Sequence, residues 1–147
     1  MALVDGKNYP EHLYYDLENQ IWYEPLPEGV VRAGFTPIAI KLAGEVLVFT
    51  PKRVAKGFEA QRSFATIECG KWVGAARAAF AGTVVASNPE LERWPKLLNE
   101  DAFGVGWMLI VRPVDTGWRD HLVTGPAVGP AFEAWLASEA YQARPGA

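Results

Sequence analysis

Glycine and proline, 14 and 11 of 147 residues, recur at short intervals and leave little room for long helices. Short apolar runs between such breakers predict strands joined by turns. The runs fall at residues 21–24, 30–35, 45–49, 63–68, 83–87 and 107–111. Pro25, Pro27 and Gly29 mark a turn region, and Pro51 closes the third run. One short helix is predicted over 38–43: Thr36 offers a hydroxyl cap, Pro37 suits the first helical position, and Gly44 stops it. Residues 52–61 read as a polar connection, Asn88-Pro89 as a turn, and 91–98 as a loop or short helix interrupted by Pro95. Residues 115–129 read as a connector into a final helix over 130–142, where Phe132, Trp135, Leu136 and Tyr141 have helical spacing. Trp22, Trp94, Trp107, Trp118 and Trp135 are expected in or against the core. The pattern predicts a mostly β fold with short helices at its margins.

Composition narrows the function. The length suits one domain over residues 1–147, and with half the residues hydrophobic a core needs no staples. A formal charge of −3 gives no support to nucleic-acid binding. A single cysteine excludes an internal disulfide framework and fits a reducing compartment. Residues 1–8 lack the apolar stretch of a signal peptide, and no apolar run approaches a membrane span. The expected setting is the cytoplasm, with no membrane partner. His12 and His121 have no third ligand in view, so no metal site is expected. No phosphate loop and no set of nucleophile, base and orienting residue is present, so no catalytic residue is expected.

The run Phe64-Ala65-Thr66-Ile67-Glu68-Cys69-Gly70-Lys71 stands apart. A strand runs into an acidic residue, a glycine that permits a sharp turn, and a lysine on a flexible stem. A carrier domain needs this arrangement at its modification site, although a lone Gly-Lys pair is usually a solvated surface feature. Alternation sends Ala65, Ile67 and Cys69 to one face and Phe64, Thr66 and Glu68 to the other.

The wider frame resembles the lipoyl-carrying H proteins of the glycine cleavage system. Their lysine segment has the form F-G-x-V-E-S-x-K-A, against residues 64–72 here. Gly82 and Asn88 match the family's glycine before a strand and asparagine after it. Pro95, Leu97, Asn99, Gly106-Trp107 and Pro113 match P-x-L-x-N and G-W-x-x-x-x-x-P. Gly34-Phe35-Thr36, Ala39 and Gly44-Glu45-Val46 match the upstream motif, and Glu139-Ala140-Tyr141 resembles the closing helix. The resemblance implies a barrel-sandwich hybrid of the lipoyl/biotinyl-carrier type, with short peripheral helices and a C-terminal helix. It implies lipoate in amide linkage on Lys71, with Glu68 either read by the lipoate-attaching enzyme or simply a solvated strand residue. Biotin is the rival modification, but methionines flank biotinylated lysines, and here the neighbours are Gly70 and Trp72.

Three departures bear on the cargo. The family's T-D-H-A aspartate and histidine are Pro37 and Ile38 here, the glutamate of H-E-W is Leu13 beside His12, and an aspartate four residues after the lysine is Ala75. These family groups suit a charged aminomethyl adduct, and an apolar wall does not compensate the desolvation of an ammonium group. The chain therefore resembles H-type carriers with a different cargo, and Cys-Gly-Lys-Trp in place of Ser-Val-Lys-Ala is similar to the lipoate-binding proteins of cytoplasmic sulfur oxidation. A heterodisulfide-reductase-like complex is the favoured partner, with the glycine cleavage enzymes as the alternative and dihydrolipoamide dehydrogenase in either case. Cys69, two residues from Lys71, invites thiol exchange with the dithiolane, against the commoner reading as a buried inert thiol. Trp72 is a docking residue or hairpin packing. The expected protein is a monomeric, non-catalytic shuttle. An unmodified H-like scaffold is the reading from another class.

Overall fold

The computed structural model describes residues 2–70, 73–138 and 141. Its strands are β1 (Ala2–Val4), β2 (Lys7–Tyr9), β3 (Tyr14–Asp16), β4 (Ile21–Pro25), β5 (Val31–Phe35), β6 (Val46–Pro51), β7 (Gly57–Phe58), β8 (Ser63–Cys69), β9 (Val73–Arg77), β10 (Gly82–Ser87) and β11 (Leu109–Pro113). The helices are α1 (Pro37–Ala43), α2 (Pro89–Arg93), α3 (Leu97–Glu100) and α4 (Val128–Leu136).

Three antiparallel sheets form. β1 and β2 make a terminal hairpin, β3-β4-β5-β11-β10-β7 make a six-stranded sheet, and β6-β8-β9 make a three-stranded one. The main core packs Tyr23, Val31, Ala33 and Val111 of the larger sheet with Phe49, Phe64 and Ile67 of the smaller. A second core lies under the terminal hairpin, where Tyr9, Tyr15, Trp22, Val128 and Phe132 meet. β4 serves both: Ile21 and Tyr23 enter the first core, Trp22 enters the second, and all three are fully buried. Each buried aromatic contributes roughly 2–3 kcal/mol of hydrophobic stabilisation. The expected mostly β sandwich with marginal helices and a C-terminal helix is the fold observed.

α1 forms as its sequence predicts. Thr36 Oγ1 accepts from the Ala39 amide and donates to Gln20 Oε1 at 2.6 Å. Gly44 closes the helix at φ 80°, a conformation that favours glycine.

Several local expectations change. The N-terminal strands at 2–9, β7 within the polar connection, and β9 carry no clear strand pattern in sequence. Asn88 caps a helix rather than making only a turn: its Oδ1 accepts from the Glu90 amide. Phe64, expected opposite Ala65, is buried beside it because the β8–β9 register shifts between Ser63 and Ala65. Trp94 is 66 % exposed, because the turn between α2 and α3 lifts it off the core. Residues 115–129 do more than connect: Trp118 packs on Tyr14, Tyr23 and Phe80, and Val123 bridges Tyr15. α4 starts two residues before the expected helix, and Glu139, Ala140 and Gln142 lie outside the described residues.

Candidate functional site

β8 and β9 form a hairpin in which Glu68 pairs with Val73. Lys71 and Trp72 fall between them in the chain and lie outside the described residues. The flanks are open: Glu68 and Gly70 are exposed, and Val73 is 65 % exposed. Gly70 has no positive φ, and a Cβ there would meet no described atom. The expected need for glycine's backbone freedom is therefore absent at this position.

Cys69 points inward with Ala65 and Ile67, as alternation predicts. It pairs with Val46 on β6, and burial pushes its thiol pKa upward. A thiol held protonated in the core is a poor partner for disulfide exchange, which favours the inert reading.

The outer face of the three-stranded sheet shows a pattern hidden in the sequence. Residues 45–49 read as a strand, apolar from Val46 to Phe49. A register shift between Val46 and Val48 instead leaves Leu47 and Val48 outside, 51 % and 41 % exposed. Val48, Glu68 and Val73 then lie in one cross-strand row. The Glu68 side chain makes no hydrogen bond or ion pair with any described residue.

Asn99 braces the base of this region. Its Oδ1 accepts from the Val46 amide at 3.0 Å, and its Nδ2 donates to the Gly44 carbonyl at 2.8 Å. The start of β6, and through it Cys69, is tied to α3. No sequence pattern short of the family motif assigns that role. Beside it runs a groove of about 290 Å³ between α1 and α3, with Lys7, Lys41, Asn99 and Glu100 on its walls.

The three apolar replacements do not form one wall. Leu13 and Ile38 are buried in the second core, and the Ile38 amide donates to Tyr9 Oη. Ala75 alone is exposed, on the outer face with Val73. His12 lies 3.6 Å from Glu24, which also pairs with Arg32. Among the described residues no group of three or more metal-binding side chains occurs, and no helix is long and apolar enough to cross a membrane.

Comparison with known proteins places these features in context. The family model described as Glycine cleavage H-protein matches residues 13–132. Glycine cleavage system H protein 5 of Aquifex aeolicus is 40 % identical over 119 residues, covering 78 % of this chain and 80 % of that protein. Probable glycine cleavage system H protein 2 of Sulfurisphaera tokodaii is 32 % identical over 146 residues, covering 98 % and 99 %. The crystal structure of a glycine cleavage system H protein from Mycobacterium marinum superposes with a TM-score of 0.73 at 24 % identity, covering 86 % of this chain and 99 % of that one, a likeness of fold.

Proposed function

Because the chain belongs to the glycine cleavage H-protein family, a family of non-catalytic lipoyl carriers, we propose that Lys71 is its lipoyl attachment site. The observation that carries this reading is the β8–β9 hairpin, which brings Glu68 and Val73 together as an exposed pair on either side of the lysine in sequence. Attachment forms an amide between Nζ and the lipoate carboxyl carbon, with loss of the activating group and one proton. Lipoate, when bound, would supply a disulfide whose reductive opening by a partner enzyme's substrate frees sulfur to carry a covalent intermediate. The chain's own part is to hold the hairpin: β6 and β9 flank β8, and Asn99 fixes the start of β6. Tethering raises the local concentration of the cargo at each partner. Glu68 is the recognition residue for the attaching enzyme in this reading, and Cys69 is structural.

Two cargoes fit. The aminomethyl group of glycine cleavage accords with the names of the relatives. A sulfur-bound intermediate passed to a heterodisulfide-reductase-like complex is favoured by one observation: Leu13, Pro37, Ile38 and Ala75 offer no carboxylate or imidazole to an ammonium group. Burial of Leu13 and Ile38 weakens that argument, since neither is a surface contact for an arm.

Intact-mass measurement after co-expression with a lipoate-attaching enzyme tests the site. One lipoyl addition, lost in Lys71→Ala, is expected. An addition that survives the substitution moves the site elsewhere, and no addition at all favours an unmodified scaffold. Efficient acceptance of an aminomethyl group from glycine decarboxylase would exclude the sulfur reading.

A further inference from the structure

The acidic chain carries a basic end. Lys52, Arg53, Lys56 and Arg62 crowd the connection between β6 and β8, with Glu59 the one carboxylate among them, in a chain of formal charge −3. Arg77 joins them from β9, opposite Ser63. All five cations are exposed, and none forms an ion pair with a described residue. Their backbone is pinned rather than loose. The Lys52 amide donates to the Phe64 carbonyl, the Ala55 amide to the Val84 carbonyl, and the Ala78 amide to the Arg62 carbonyl. Unpaired like charges held together repel one another, so they cost stability without a counter-surface.

This end is continuous with the hairpin. The outer face of the three-stranded sheet runs from Arg77, through Thr50, Thr66 and Ala75, to the row of Val48, Glu68 and Val73. The seven residues of β8 span this face, about 20 Å at the usual rise per residue. A standard interface of roughly 800 Å² per partner is about 30 Å across, so one partner covers both ends.

We propose that this face docks the lipoate-attaching enzyme, which meets it with acidic side chains over the basic end and with an apolar surface bearing one cation over Val48, Glu68 and Val73. The proposal rests on the reading of Lys71 as the acceptor. Attachment is the one encounter before any arm exists. The amine itself has to enter the enzyme's site, so the contact surface must lie within one footprint of the hairpin.

The test uses the full unmodified chain, the source organism's own lipoate-attaching enzyme, lipoate and ATP, with intact mass as readout. Charge reversal in Lys52→Glu/Lys56→Glu/Arg62→Glu is expected to raise KM for the carrier about ten-fold at low salt with kcat unchanged, since rim charges act mainly on encounter. Rising ionic strength should weaken the wild type and narrow the gap. Val48→Ser/Val73→Ser should raise KM without changing its salt dependence. Circular dichroism checks that each variant is folded. Unchanged KM in the charge-reversed protein, with normal mass gain, overturns the docking surface and leaves Lys71 standing. No mass gain in the wild type removes both.

Discussion

Asn88 joins α2 to the segment leading into β11, and its replacement by alanine has a cost that can be worked from the geometry. The side chain is 3 % exposed. Its Oδ1 accepts from the Glu90 amide at 3.1 Å, and its Nδ2 donates to the Val105 and Trp107 carbonyls at 2.8 and 2.9 Å. Three hydrogen bonds made by this buried side chain, at about 1 kcal/mol each, give a loss of roughly 3 kcal/mol. With a urea m-value of about 2 kcal/mol per M, the midpoint of unfolding should fall by about 1.5 M with m unchanged. Two further substitutions separate the contributions. Asn88→Ser keeps an acceptor for the cap and should lose about 2 kcal/mol. Asn88→Asp also keeps the cap but turns a carboxylate toward two carbonyls, so at neutral pH it should be worse than serine. A loss below about 1 kcal/mol for alanine, or an aspartate variant as stable as the serine one, would refute this assignment.

Other expectations follow from the packing. A Cβ on Gly34 would lie 2.6 Å from Trp22 Cζ2 and 2.8 Å from its Nε1, the atom that donates to the Ala102 carbonyl. Gly34→Ala should therefore cost about 3 kcal/mol by overpacking and expose the Trp22 indole N–H to fast hydrogen exchange; retained protection would contradict it. Burial raises the phenol pKa of Tyr9, Tyr15 and Tyr23 above the ordinary value. Their contribution to stability is fully present below about pH 10, where the unfolded chain begins to ionise, and is lost as pH rises further toward the folded values. Above that point the free energy of unfolding should fall by as much as about 4 kcal/mol per pH unit for the three together, and a stability flat to about pH 11 would exclude this.

Much of the fold was legible because its signals are local. Thr36, Pro37 and Gly44 cap α1 wherever the helix sits, since a cap satisfies groups within its own turn. Strand alternation placed Cys69 in the core with Ile67. The departures from expectation occur where a distant strand decides the outcome. Nothing in Val46-Leu47-Val48 announces a bulge; pairing with β8 creates it and turns two apolar side chains to solvent. Nothing in Ile38 or Leu13 tells a surface position from a core one until Tyr9, Trp22 and Phe132 enclose them.

The sequence alone determined the carrier family and the candidate lysine, because both rest on residue identities at fixed spacing along one strand and turn. The tertiary structure alone decided which faces meet solvent. It paired Glu68 with Val48 on one side and Val73 on the other, gathered cations from the β6–β8 connection and β9 at one end of a sheet, and used Asn99 to tie β6 to a helix far along the chain. The physical reason is range: capping and alternation act within a few residues, whereas register and burial are set by whichever segment the chain folds against.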